Sequence, residues 1–152
     1  ARTLQREAPD DAERARKLAA AQVAAGRPDD ALATLRAAEG VASGEDERAL
    51  LAHGRAAAAL AAGDLAAAIA AAEVTARWAA ANREPALQGA SLLVAAQARG
   101  VAGDLAAAVD GARSATTLLR DAHLAGGPGR GRLLQAQLTL ALGQPQQAEA
   151  LA

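Results

Sequence analysis

The chain has no cysteine, methionine, phenylalanine or tyrosine, and its single aromatic residue is Trp78. Without cysteine there is no disulfide framework and no thiolate chemistry. Without large aromatics the core must be built from Leu, Val, Ile and many methyl groups, each burying little area at roughly 25 cal/mol per Å². An excess of one charge is also missing. Sixteen basic and seventeen acidic groups leave a net charge of −1, and neither half of the chain carries a strong bias. The basic face that a nucleic-acid partner requires is therefore not expected. The longest uncharged runs, Pro85–Ala98 and Leu133–Ala148, fall short of the roughly 18 apolar residues of a membrane span and contain Gln or Ser. No signal peptide is visible, so the reading is a cytoplasmic protein, although a start at Ala1 rather than Met points to a missing N-terminus. Only one lysine accompanies fifteen arginines, a bias in keeping with a GC-rich bacterial gene.

What the chain has in abundance is alanine, at 50 of 152 positions, and alanine is the best helix former. It also has one phrase written twice almost identically, Gly63-Asp64-Leu65-Ala66-Ala67-Ala68 and Gly103-Asp104-Leu105-Ala106-Ala107-Ala108. Variants begin at Gly26 and Gly143, so the four glycines stand 37, 40 and 40 residues apart, in the range of helical-hairpin repeats. A glycine after an apolar run ends a helix in the left-handed conformation, because it has no Cβ to clash. Asp64 and Asp104 are placed to accept from the free N–H groups of the next helix, worth about 1 kcal/mol each. Pro28 and Pro145 occupy first-turn positions that need no N–H donor, and Asp29 and Asp30 add negative charge at the positive helix end. Each phrase thus encodes helix, tight turn, helix.

Four hairpins are predicted, near residues 10–40, 45–82, 84–125 and 130–152, forming one all-α domain. In the first, Pro9-Asp10-Asp11 starts a front helix over Ala12–Ala25, and its partner runs from Pro28 to Glu39 with Gly40 as terminator. The second pairs Glu45–Ala62 with Leu65–Ala81, closed by Asn82 in the left-handed conformation. The third starts at Glu84-Pro85, reaches about Val101, and returns over Leu105–Leu124. The loop Ala125-Gly126-Gly127-Pro128-Gly129 is the strongest break. A last rear helix, Pro145–Ala152, stops without a polar cap, which reads as a piece of a longer polypeptide.

With these residues in view the chain resembles the tetratricopeptide repeat family. That motif places a small residue seven before the turn glycine, here Ala19, Ala56, Ala96 and Ala136. Further small residues follow five after it, at Ala31, Ala68, Ala108 and Ala148, and twelve after it, at Ala38, Thr75 and Ala115. Two features depart from the family: its aromatic positions hold Gln22, Ala59, Arg99 and Thr139, and the period is about 40 rather than 34. Longer repeats of this kind look like those of bacterial regulators and signalling proteins. The resemblance implies a right-handed α-solenoid whose front helices line a concave binding face. Carrying the family's concave positions across puts Glu13 and Arg16, Leu50, His53 and Ala57, Ala90, Leu93 and Gln97, and Arg130, Leu133 and Gln137 on that face. The clamp of the family's chaperone-tail binders is incomplete, because Ala20 and Gly54 stand where it needs asparagine.

No catalytic constellation is apparent. Two histidines, His53 and His123, lie seventy residues apart with no Cys and no paired His/acid motif, which argues against a metal site. His53 is expected to be solvated or hydrogen-bonded locally, and His123 to sit at a helix C-terminus, where a cation is favoured. Trp78 is expected to pack against the next repeat rather than to anchor a partner. Gly126–Gly131 lacks the Lys-Ser/Thr of a phosphate loop. The expected function is that of a non-enzymatic scaffold, without cofactor, binding a protein or peptide partner or other domains of its parent chain. The alternative is a ligand-sensing or regulatory domain of a bacterial regulator. Self-association through the last helix is a third reading.

Overall fold

The computed structural model describes residues 8–122 together with residues 132, 133, 136 and 137, and among these the regular structure is entirely helical. Six helices follow one another: α1 (Ala8–Ala24), α2 (Pro28–Val41), α3 (Glu45–Ala62), α4 (Leu65–Ala81), α5 (Pro85–Ala102) and α6 (Leu105–Asp121). The last hairpin and the glycine-rich loop before it lie largely outside the described residues, as do His123 and Arg130.

The repeated phrase builds the turns as its chemistry requires. Gly26, Gly63 and Gly103 have φ of 74°, 81° and 91°, in the left-handed region. At each, the glycine N–H bonds back three residues and the next N–H five, for instance Gly63 N to Leu60 O at 3.1 Å and Asp64 N to Ala59 O at 3.0 Å. That pair of bonds satisfies carbonyls the ending helix would leave open. Asp64 and Asp104 then cap the following helix, accepting from Ala67 N at 3.1 Å and Ala107 N at 3.3 Å.

Two expected terminators behave differently. Gly40 does not end α2, which continues through it to Val41 and stops at Ala42 in an extended conformation. Nothing lies within 4 Å of a Cβ built at Gly40, so it meets no steric demand there. After α4, Asn82 keeps a negative φ of −98°, and it is Arg83 that turns left-handed at φ 59°. Asn82 is held instead by its own side chain, whose Nδ2 donates to Trp78 O at 2.8 Å. A left-handed arginine is strained by its Cβ, at a cost of about 1 kcal/mol. Arg83→Gly is therefore expected to raise stability by about 1 kcal/mol, read as a higher urea midpoint at constant slope.

Each helix packs on the next, and α3 also meets α1 and α5, whereas α2, α4 and α6 make no such approach to one another. The helices thus sort into two sets, the front helices α1, α3 and α5, in which α3 touches both of the others, and the rear helices α2, α4 and α6, which do not touch one another. The small residues of the repeat motif sit where these helices meet. Ala19, Ala56, Ala96 and Ala136 are buried, as are Ala31, Ala68, Ala108, Thr75 and Ala115. Gly89 and Gly111 allow the closest approach: a Cβ at Gly89 would stand 2.8 Å from Leu119 Cγ, and one at Gly111 3.3 Å from Ala96 Cβ. The core is spread along the chain in separate clusters rather than gathered at one centre, with Ala19, Leu35, Leu51 and Ala58 joining α1, α2 and α3. Ala56, Ala72, Val94 and Ala95 then join α3, α4 and α5.

Two ion pairs fasten a rear helix to the front helix of the next hairpin: Arg55 with Glu39 at 2.9 Å, and Arg99 with Glu73. Arg99 therefore links α5 to the preceding hairpin. The equivalent Gln22 serves its own hairpin, its Oε1 accepting from Thr34 Oγ1 at 3.0 Å.

Candidate functional site

The front helices α1 and α3 enclose a cleft of about 460 Å³, lined from α1 by Glu13, Arg16, Lys17, Ala20 and Val23, and from α3 by His53, Gly54 and Ala57. Four of the residues selected from sequence, Glu13, Arg16, His53 and Ala57, therefore line one cavity. Short side chains make the space: Ala20, Gly54 and Ala57 leave open what longer residues would fill. Gly54 is also constrained from behind, since a Cβ there would stand 3.2 Å from Leu35 Cδ2.

The other selected residues lie elsewhere. Leu50 and Leu93 are half-buried and Gln97 is exposed, and none of the three lines this cleft. Leu133 and Gln137 are exposed, and Arg130 falls outside the described residues. Trp78 is half-buried on α4 with its Nε1 enclosed and without an acceptor, which leaves little of it to grip a partner.

Charge within the cleft is unevenly satisfied. Glu13 and Lys17, one turn apart, pair at 2.7 Å on the rim with both side chains largely exposed. The Lys17 hydrogen bond, reinforced by its charge, holds the Glu13 carboxyl below its usual value. Arg16 is half-buried and has no ion-pair partner among the described residues. A guanidinium presents five N–H donors and no acceptor, so it offers the cleft an unmet demand for anionic or carbonyl oxygen.

His53 is not bonded locally. Its Nδ1 lies 3.0 Å from Oγ of Ser91, on α5 in the next hairpin, so the bond ties α3 to α5. Ser91 is fully buried, and a buried hydroxyl needs an acceptor for its proton. The threonines Thr75, Thr116 and Thr117 each donate to the carbonyl one turn back, whereas Ser91 has His53 as its partner. The hydroxyl therefore donates to Nδ1, and the ring carries its proton on Nε2. Burial, followed by the charge of Arg16, lowers the His53 pKa, so the imidazole is neutral at neutral pH. Arg16 and His53, from two hairpins, thus both line the cleft. Ser91 cannot act as a nucleophile despite its histidine, because no substrate reaches a fully buried hydroxyl.

No family model matches the chain, and no curated protein or solved structure matches it either. The geometry of the site carries the functional reading. Among the described residues no group of three His, Cys, Asp or Glu is placed to hold a metal ion, and no helix is long and apolar enough to cross a membrane. Sequence reasoning missed Ser91 and Lys17. The isolated serine of the apolar run Gly89–Ala98 carried the only signal for the first, as a polar group in a stretch otherwise written for burial.

Proposed function

We propose that the chain is a non-catalytic, tetratricopeptide-like helical-repeat module, a short α-solenoid that binds a peptide segment of a partner or of its own parent chain in the cleft between α1 and α3. The observation that carries this reading is the convergence of Arg16 and His53, from α1 and α3, on a cavity that is lined, apart from the Glu13–Lys17 pair on its rim, by alanine, glycine and valine. Apolar walls with a few convergent polar groups are the usual makeup of a binding site.

A plug tests the cleft directly. Ala20 is exposed and lines the cavity, so Ala20→Trp fills it without disturbing the core. In a peptide-array or pull-down experiment with the parent chain's own partners, the tryptophan variant is expected to lose at least about tenfold in affinity, while Leu93→Ala with Gln97→Ala retains it. Equal binding by the plugged and parent proteins would move the site elsewhere.

The cleft volume also lies within the range of small-molecule pockets, roughly 300–1,000 Å³, which favours as a second reading the ligand-sensing domain of a regulator. A ligand that binds only the folded state raises apparent stability. A metabolite screen by thermal shift, with no compound raising the melting temperature of the parent above that of Ala20→Trp, would rule this reading out.

A further inference from the structure

We propose that the groove between the rear helices α2 and α4 docks an amphipathic helix of a partner protein, one that carries an acidic side chain opposite Arg36. This surface shares no lining residue with the α1–α3 cleft, so it is a second site that stands independently of the first.

The groove follows from how the helices pack. α3 meets both α2 and α4, but these two make no approach to one another, which leaves a channel between them with α3 as its floor. It holds about 380 Å³ and is lined by Leu32 and Arg36 of α2, Ala52 and Ala59 of α3, and Ala70 and Val74 of α4. Val74 is among the few large apolar side chains that stand exposed in the described residues.

The next joint along the chain shows why this one is open and charged. There Glu73, ten residues after its turn glycine, pairs with Arg99, four before the following one. At the α2–α3 joint the same two positions hold Arg36 and Ala59. An arginine replaces the acid and a methyl group replaces the arginine, so the cavity opens where a longer side chain would lie. Arg36 has no ion pair among the described residues. The other cation of the lining, Arg55, is held by Glu39 at 2.9 Å, and its one carboxylate, Asp64, caps α4 by accepting from Ala67 N. The groove therefore presents one uncompensated positive charge beside an apolar floor, and its complement is a carboxylate within an apolar stripe.

The walls decide the secondary structure of the partner. All three are helices, whose interior backbone groups are already bonded within them. An extended segment laid here would find no ladder to join and would bury its own N–H and C=O groups unpaired. A helix arrives with those bonds made. The alanines of the floor and the α4 wall let it come close. A helix about 10–12 Å across rests on the rim and lays one stripe of side chains into the groove, so the partner needs apolar residues three and four apart with an acid at the edge of the stripe.

The probes are labelled peptides of equal length: a lactam-bridged helix with such a leucine stripe and one glutamate beside it, the same helix with glutamine, and the glutamate sequence broken by central prolines. Their binding to the full chain is read by fluorescence anisotropy. The glutamate helix is expected to bind about fivefold tighter than the glutamine helix, a difference that shrinks at high salt and vanishes in Arg36→Gln. The proline-broken peptide should bind at least about tenfold more weakly than the helix. Ala70→Trp, which fills the groove from an exposed position, should abolish binding while circular dichroism shows its helices retained, and Ala20→Trp should leave binding unchanged. Arg36→Gln, also at an exposed position, still decides the matter were Ala70→Trp to unfold. Equal affinities of the helical and broken peptides, or of the glutamate and glutamine helices, would overturn the proposal. So would loss of binding in Ala20→Trp rather than Ala70→Trp, or no binding of the glutamate helix at millimolar concentration. A dimer of the parent in sedimentation that Ala70→Trp abolishes would overturn it too, by making a second copy of the chain the occupant.

Discussion

Leu51→Ala is expected to lower the unfolding free energy by about 4 kcal/mol, near the top of the range for burying and then deleting a leucine. Leu51 is fully buried among Ala19, Ala31, Leu35, Ala42 and Ala58. Only Leu35 and Leu51 are fully buried large apolar side chains among the described residues. The cost is high because of what surrounds the hole. An alanine neighbour has no side-chain rotamer with which to relax into the space, so the cavity persists and its lining loses contacts outright. Against a total stability of about 5–15 kcal/mol this is a large fraction. Urea denaturation followed by helical circular dichroism should show a lower midpoint at unchanged slope. Leu18→Ala, at a position 52% exposed, should stay within about 0.5 kcal/mol of the parent. A Leu51→Ala midpoint indistinguishable from that of Leu18→Ala would mean that the core is not the one described.

The opposite change, enlarging a contact, should be nearly as damaging at Ala96. This residue is fully buried and faces Gly111 so closely that a single added carbon on the glycine would stand 3.3 Å from the Ala96 Cβ. Ala96→Leu adds three carbons to an interface with no side chain on the other side to trim or turn. The helices must separate or α5 must rotate, and the expected cost is about 3 kcal/mol. Ala106→Leu introduces the same side chain at an exposed position of α6 and should be close to neutral. Thermal unfolding of the two variants gives the comparison, and coincident transitions would show that α5 and α6 are not held at glycine–alanine distance.

These two expectations show which parts of the molecule are readable from sequence. The turns are readable because each demand is local: a glycine at left-handed φ, then a capping aspartate, all within a few residues. The small-residue positions are readable through their register with those turns. Where a local demand has two solutions, the sequence does not choose, and so Arg83 rather than Asn82 takes the left-handed position while Gly40 runs on within its helix. The site is only half readable. The register places Glu13, Arg16 and His53 on one face, but which front-helix residues share a cavity depends on how deep the small residues leave the gap. Leu93 and Gln97 belong to a stretch where Ser91 and its neighbours bring α5 against α3 instead. The His53–Ser91 bond spans 38 residues, and no pattern of spacing announces it.

The two inter-hairpin ion pairs bear on a hazard particular to a chain that repeats itself. Sister segments as alike as the two Gly-Asp-Leu-Ala-Ala-Ala phrases can dock on the wrong neighbour, within one chain or between two. The ion pairs differ in height. Glu39 and Arg55 sit 13 after and 8 before their turn glycines, whereas Glu73 and Arg99 sit 10 after and 4 before theirs. Because paired helices run in opposite directions, both members of the second pair have moved toward the turn by about one helical turn, and they still meet. Laid on α2 in that register, α5 would set Arg99 opposite Arg36 and leave Glu39 opposite Ala95. Each half-exposed pair contributes only about 1 kcal/mol when correctly matched. Their staggered placement nonetheless gives each joint its own key, which biases hairpins nearly identical in their turns toward one order.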